Sequence, residues 1–147
     1  MKKIIAFLIL SFFLFTSSFA SELDLPKKVI QKFKIQYPAA HIVDYTVVEK
    51  AYVIQFDKNG NKGICTFDRN GQWVETVTII PIQDLPKKVV PFVKEILIQP
   101  TIQVVKKIEQ PYGITYSLEF DIVEIKEDKI IPDDITLYFD EQGGLIE

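Results

Sequence analysis

The sequence predicts an α+β protein made of two tandem repeats, each a helix followed by a four-stranded antiparallel meander. Residues 24–30 (DLPKKVI) return as residues 84–90 (DLPKKVV), which indicates an internal duplication. After each copy of this heptapeptide, the period of the apolar residues changes from about 3.6 to about 2, as expected where strands follow a helix. We expect the two units to pack against each other, because each alone would be small, with the helices on one face of the sheet.

The duplication extends beyond the heptapeptide. Residues 52–56 (YVIQF) resemble residues 116–120 (YSLEF), and residues 67–75 (FDRNGQWVE) resemble residues 139–147 (FDEQGGLIE). The matches keep their order while their spacing grows, which indicates insertions in the second copy at loops or hairpin ends. We expect the last strand of the second copy to be truncated.

The N-terminus has the pattern of a secretory signal peptide. Two lysines follow the first residue, residues 4–15 are almost entirely apolar, and small residues lead up to Ala20. A membrane anchor is the alternative, but the uncharged stretch is short for a bilayer core about 30 Å thick. No cysteine lies near the cleavage site, so no lipoprotein anchor is expected. We expect a signal peptide over residues 1–20, two repeats over residues 21–83 and 84–147, and a secreted or periplasmic protein without stable membrane insertion.

Composition narrows the possible partners. Removal of the signal peptide leaves 15 basic and 20 acidic residues, a net charge of −5. This balance argues against a nucleic-acid partner, because phosphate binding needs clustered Lys and Arg. Cys65 is the only cysteine, so it cannot form a disulfide within the chain, and we expect a buried thiol. An intermolecular bridge or a reactive thiol is the alternative.

The first helix is predicted to begin at Asp24, a suitable N-cap, with Pro26 in the first turn. Pro38 should end it at or before Tyr37. Its apolar face consists of Leu25, Val29, Ile30, Phe33 and Tyr37.

The second helix is predicted to begin in the same way at Asp84 and to end before Pro100. Pro91 would then lie inside the helix, where it removes a hydrogen bond and clashes with the preceding turn. We therefore expect a kink or a short break at this residue. Its buried row consists of Leu85, Val89, Val93 and Ile96.

The strands follow from alternation and from turn residues. Asn59-Gly60 is the strongest hairpin signal in the chain, because both turn positions tolerate positive φ. In the first copy we predict strands over residues 43–47, 52–56, 63–67 and 72–79. In the second we predict strands over residues 102–108, over 114–120 or 114–125, and over 135–139. Residues 126–129 should form a hairpin tip or loop, and residues 145–147 a final stub.

One face of the sheet should remain uncovered, because helices are expected on one side only. The alternation makes this face polar to mixed, with Asp44, Thr46, Val53, Gln55, Thr115, Ser117, Glu119, Thr136 and Tyr138. Trp73, the only tryptophan, either packs under the helix or serves as an exposed anchor. The candidate binding residues are Thr46, Gln55, Trp73, Ser117 and Tyr138.

A short helix opened by Leu-Pro and closed by Tyr-Pro, followed by a meander with Phe-Asp-x-x-Gly near its end, resembles the PepSY-like families. More narrowly, it is similar to the secreted proteins grouped as β-lactamase-inhibitor-like. The resemblance implies two tandem helix-plus-sheet units whose sheets join side by side, with a concave open face that can hold a protein partner. It also implies a role in restraining an enzyme such as a peptidase. It carries no inhibitory residue over to this chain. The matching segments are residues 25–26, 37–38, 52–56 and 67–71, and residues 85–86, 116–120 and 139–143 in the second copy.

The sequence offers little for catalysis or metal binding. His41 is the only histidine, and we expect it in a loop, apart from Cys65. Zinc would need more His or Cys ligands than these two. Acidic residues cluster over residues 121–134 without the spacing of a calcium-binding loop, so we interpret them as a solvated loop. We expect no cofactor, no metal and no enzymatic activity.

Two functions are compatible with these observations. The first is an exported binding module whose open sheet face recognises a protein or peptide. The alternative is a carrier of a small molecule, lipid or ion, with its ligand between helix and sheet or where the two repeats meet.

Overall fold

The computed structural model describes residues 24–97, 100–126 and 129–146, with side chains described outside 122–134. Within these residues, two helices and one eight-stranded antiparallel sheet form an α+β fold, as the sequence predicted. The helices are α1 (Lys27–Gln36) and α2 (Val89–Ile96). The strands are β1 (His41–Val48), β2 (Ala51–Lys58), β3 (Asn61–Phe67), β4 (Trp73–Ile79), β5 (Thr101–Gln110), β6 (Gly113–Lys126), β7 (Lys129–Asp140) and β8 (Leu145–Ile146).

Each strand pairs with the next one along the chain, so the strand order is β1 to β8 without a crossover. The halves of the chain meet where β4 pairs with β5, from Thr76 opposite Glu109 to Ile79 opposite Lys106. The predicted hairpin tip after β6 is confirmed at its base, where Lys126 pairs with Lys129, while residues 127–128 lie outside the described residues. Among the described residues, β8 pairs with β7 through Leu145 and Ile146.

The first helix begins two residues later than predicted. Pro26, and not Asp24, is the N-cap of α1, and its carbonyl accepts hydrogen bonds from the N–H groups of Val29 (2.8 Å) and Ile30 (3.2 Å). Proline suits this position because it has no N–H to satisfy. The helix ends before Tyr37, as the following Pro38 predicted.

The second helix also begins later than predicted, and this removes the expected kink. A 3₁₀ turn (Ile82–Asp84) precedes it, and α2 starts only at Val89. Pro91 is therefore the third residue of the helix, within the first turn, where backbone N–H groups have no partner inside the helix. The expectation of a break at Pro91 is wrong because the proline lies at the start of the helix and not in its interior.

Each helix covers its own hydrophobic cluster on the sheet. Successive cross-strand pairs connect Phe56 under α1 to Phe139 under α2, and directly paired residues point to the same side of a sheet. The two clusters therefore share one face. The buried residues under α1 are Leu25, Val29, Phe33, Ile54, Phe56, Cys65 and Phe67. Those under α2 are Leu85, Val89, Val93, Val105, Tyr116, Leu118, Phe120 and Phe139.

The first Phe-Asp-x-x-Gly motif forms the turn between β3 and β4. Phe67 is fully buried, and Asp68 Oδ1 accepts hydrogen bonds of 2.8 Å from the backbone N–H groups of Asn70 and Gln72. These bonds, that from Gln72 first, hold the pKa of the Asp68 carboxyl below its usual value. Gly71 has a φ of 75°, a conformation that glycine adopts without a steric penalty.

The second motif repeats this geometry between β7 and β8. Asp140 Oδ1 accepts hydrogen bonds from the N–H groups of Gln142 (2.9 Å) and Gly144 (2.7 Å). Gly143 has a φ of 81°, and a Cβ added there would lie 3.1 Å from Pro86 Cβ at the start of the second helical segment. The shared motif therefore shapes the turn and lets it approach the helix.

Candidate functional site

The candidate site is the face of the sheet that does not contact the helices, called here the open face. Its central row follows successive cross-strand pairs from β1 to β7. The row alternates with the buried residues Ile54 and Cys65, so it points to the opposite side of the sheet. It consists of Asp44, Gln55, Ile64, Val77, Ile108, Thr115 and Asp140.

The middle of this row is apolar. Ile64, Val77 and Ile108 lie side by side on β3, β4 and β5 and are half-buried, so they cross the junction between the two halves of the sheet. The expectation of a polar to mixed face describes the ends of the row but misses its centre. Simple alternation of inward and outward residues does not predict this cluster, because the β3–β4 pairing shifts between Thr66 and Phe67.

A polar row borders the apolar centre on one side. Thr46 pairs with Val53 and is exposed, as predicted for a candidate binding residue. Further along, Gln110 Nε2 donates a hydrogen bond of 3.2 Å to Glu75 Oε2, which connects the two halves across the junction. This side of the open face therefore offers both hydrogen-bond donors and acceptors.

The other border contains the candidates Ser117 and Tyr138, which are direct partners on β6 and β7. Tyr138 is 46% exposed and accessible. Ser117 is only 3% exposed although it points to the open face. Its partner on β5 is Lys106, whose ammonium forms an ion pair with Glu119 two residues along β6. Ser117 thus lies between two neighbours that pair with each other, and as a buried residue it is a poorer binding candidate than Tyr138.

Trp73 lies on the helix side and not on the open face, so its place among the open-face candidates is corrected. It packs against the cluster under α1 and pairs with the buried Phe67. Its indole Nε1–H donates a hydrogen bond of 2.9 Å to Thr76 Oγ1. Of the two interpretations of the sequence, the structure supports packing under the helix.

Thr76 connects Trp73 with two further buried groups. Its hydroxyl donates to Cys65 Sγ at 3.3 Å and lies 2.6 Å from the Tyr37 hydroxyl, which donates to it in turn. Burial raises the pKa of the Cys65 thiol to about 12, and burial likewise raises the pKa of Tyr37 to about 12. The expectation of a buried thiol is confirmed, and a thiol with this pKa is a poor nucleophile at neutral pH.

The remaining ionisable candidates do not form a reactive cluster in the described part of the chain. His41 is exposed at the start of β1 and not in a loop. It points to the open face, whereas Cys65 is buried on the helix side of the sheet. Among the described residues, no three His, Cys, Asp or Glu side chains are placed to hold a metal ion. Residues 127–128 and the side chains of residues 133–134, which belong to the predicted acidic loop, lie outside what is described.

Two recesses interrupt the described surface away from the open face. One of about 420 Å³ is widely open and lies between the β1–β2 and β3–β4 turns, with the charged residues Glu49, Lys50, Asp68 and Arg69 in its wall. The other, of about 380 Å³, lies between α2 and β5 and is mostly apolar. No helix within the described residues has the length and apolar character to cross a membrane.

The described residues form two helices on one face of an antiparallel sheet whose other face is uncovered. Comparison with known families shows to which family the chain belongs. Residues 17–64 and 59–147 each match the family described as beta-lactamase-inhibitor-like, PepSY-like, and the chain belongs to this family. The two matches agree with an internal repeat and confirm the resemblance seen in the sequence. None of the curated proteins compared matches this chain.

Solved structures of similar fold come from Bacteroides species. A DUF2874 family protein from Bacteroides uniformis is 23% identical with a TM-score of 0.70, covering 84% of this chain and 87% of that one. A BLIP-like protein from Bacteroides fragilis is 24% identical with a TM-score of 0.67, covering 84% and 85%. A protein from Bacteroides eggerthii, named for an expected periplasmic location, is 18% identical with a TM-score of 0.68, covering 83% and 86%. At these identities the likeness establishes the fold alone.

Proposed function

We propose that this protein is an exported, non-catalytic binding module that recognises a protein or peptide on its open sheet face and thereby restrains an enzyme such as a peptidase. The observation that carries the proposal is the apolar centre formed by Ile64, Val77 and Ile108 with polar groups around it. Protein interfaces commonly have such an anatomy, an apolar core inside a polar rim.

The dimensions of the central row favour a macromolecular partner over a small ligand. The row crosses seven strands, which at about 4.8 Å per strand spacing makes it roughly 29 Å long. A small molecule needs a site that buries most of its surface, whereas a row of this length suits a protein surface or an extended segment. Gln55 and Tyr138 are exposed near opposite ends of the face, where they can donate and accept hydrogen bonds.

The family and the duplication support the same proposal. We infer that each half is one copy of a helix-plus-four-strand unit, because the two Phe-Asp-x-x-Gly turns share their hydrogen bonds and the family matches twice. A fused pair of such units doubles the width of the open face. The family description refers to inhibitors, and the predicted signal peptide together with the expected location of the Bacteroides eggerthii protein supports a secreted or periplasmic site of action.

Affinity capture with matched variants tests the proposal. The mature chain, residues 21–147, is immobilised and the proteins it retains from the native envelope fraction are quantified. Replacement of Ile108 by Thr keeps β-branching but removes apolar surface, and Gln55→Ala and Tyr138→Ala remove polar groups of the rim. We expect each to lower the amount of the same retained protein severalfold.

The control variant is Ile35→Thr, because Ile35 is 79% exposed on α1, on the other side of the sheet. It should retain as much partner as the unchanged chain. Equal retention by all four variants would contradict a role for the open face.

A further inference from the structure

The recess between α2 and β5 has the composition of a ligand site. Its volume of about 380 Å³ lies at the low end of the range of about 300–1,000 Å³ found for small-molecule sites. Its floor includes the buried Val93, and Ile82 is exposed at its rim. The described residues that line it are Ile82, Val90, Val93, Lys94, Leu97, Pro100 and Ile102.

Comparison with the first half shows which side chains differ at the matching positions of α1. At the positions sixty residues earlier, Phe33 and Tyr37 stand in place of Val93 and Leu97. Their rings lie 5.5 Å apart, and the Tyr37 ring stacks on Phe56 at 5.1 Å. These aromatic rings occupy the space under α1 that the smaller aliphatic side chains leave open beside α2.

One charged side chain at the recess indicates how a ligand would be oriented in it. Lys94 is the only charged residue among the described lining residues, and its side chain is exposed. The other lining residues are aliphatic or proline. An apolar wall with one cation at the rim suits a molecule with an apolar chain and an anionic head.

We propose that this recess binds a single-chain amphiphile with an anionic head group. The chain packs against Val90, Leu97 and Ile102, and the head group pairs with the Lys94 ammonium. The small volume admits one acyl chain and not the two chains of a bilayer lipid. This site lies on the helix side, so it is independent of the partner proposed for the open face.

Calorimetric titration of the mature chain with hexanoate, octanoate and decanoate, all below their micelle concentrations, tests the apolar part. Each methylene that becomes buried should tighten binding about fourfold until the recess is full. Decanol and decyl phosphate test the head group. Decanol should bind two- to fivefold more weakly than decanoate, because an exposed ion pair adds only a modest term. Decyl phosphate distinguishes a phosphate head from a carboxylate, and tight binding of either anion supports the proposal.

Variants that copy residues of the first half separate the recess from the rest of the surface. Val93→Phe and Leu97→Tyr each introduce the ring found at the matching position of α1, so each should abolish decanoate binding. A variant is used for the test only if its circular dichroism spectrum and its cooperative melting show that it folds. One folded variant of the two is sufficient for the test. Lys94→Gln should weaken decanoate two- to fivefold without changing decanol binding. Lys34→Gln, at the matching place on α1, is the control and should change neither.

Three results would overturn the proposal. The first is that none of these amphiphiles binds saturably, as expected if a protein side chain is the natural occupant of the recess. The second is unchanged decanoate binding in a folded Val93→Phe or Leu97→Tyr variant. The third is that decanol binds as tightly as decanoate.

Discussion

Thr76 is the residue on which the polar contacts beneath α1 converge. Its single hydroxyl serves Tyr37, Trp73 and Cys65, although the side chain is fully buried. The sequence identified Trp73 and Cys65 as residues of interest but gave no reason to connect them, because their contact depends on the register between β3 and β4. A threonine that faces the core in an otherwise apolar cluster is recognisable only once that register is known.

Replacement of Thr76 by Val should destabilise the protein by about 2 kcal/mol, because the Tyr37 hydroxyl and the Trp73 indole N–H lose their partner in a buried place. Urea denaturation followed by circular dichroism measures the change in the free energy of unfolding. Thr78→Val, two residues along the same strand, is the control and should change it by less than about 0.5 kcal/mol. Equal effects of the two variants would show that the shared hydroxyl is not responsible.

The raised pKa values of Cys65 and Tyr37 predict how stability depends on pH. Their ordinary values are 9.0 and 10.0, and both rise to about 12 in the folded protein because burial disfavours the charged form. The unfolded chain therefore loses these protons first, and the free energy of unfolding should fall as pH rises from about 9 to 12. Denaturation midpoints across this range measure it. At pH 8 Ellman's reagent should react with Cys65 only after unfolding, and rapid reaction of the folded protein would contradict a buried thiol.

At the level of elements, the sequence predicts the type and order better than the boundaries. Both Phe-Asp-x-x-Gly turns and the Asn-Gly hairpin form as expected, since these residues have strong local preferences. Both helices begin late, because Leu-Pro continues an extended segment that the periodicity alone does not distinguish from a first turn. The predicted strands place a turn between β1 and β2, but its backbone conformation was not predicted. It consists of Glu49 and Lys50 with φ of 48° and 71°, which these side chains rarely adopt.

The strain at this turn predicts a stabilising substitution. Lys50→Gly should raise the free energy of unfolding by about 1 kcal/mol, because relief of the left-handed conformation outweighs the added chain entropy. Thermal melting provides the measurement. Lys58→Gly is the matched control at the end of β2, where φ is ordinary, and it should lower stability by about 0.5–1 kcal/mol. A lower melting temperature for Lys50→Gly would mean that the turn is not strained in solution.

For the whole molecule, the two hydrophobic clusters are separate while the sheet is continuous. The pairing of β4 with β5 gives neither half a free inner edge, and each half alone would be a small unit with a modest core. The family resemblance implied this joining of the sheets. The sequence predicted the polar ends of the open face through Thr46, Gln55 and Tyr138, but not its apolar centre, because that centre exists only when β3, β4 and β5 are brought into register.

A continuous sheet predicts that the two halves unfold together. Leu118→Ala empties part of the second cluster and should cost about 2–5 kcal/mol. Trp73 is the only tryptophan and reports on the first cluster, so its fluorescence transition in urea should shift by the same amount as the circular dichroism transition. A fluorescence midpoint that stays in place while circular dichroism shifts would show that the halves unfold independently.

Site-specific photo-crosslinking in the native envelope tests the central claim most directly. A photoreactive phenylalanine analogue is placed either at Val77, in the apolar centre of the open face, or at Ile35, exposed on α1. We expect a discrete covalent adduct with one protein from Val77 and none from Ile35. An adduct from Ile35 with no adduct from Val77 would place the partner on the helix side and contradict recognition by the open face.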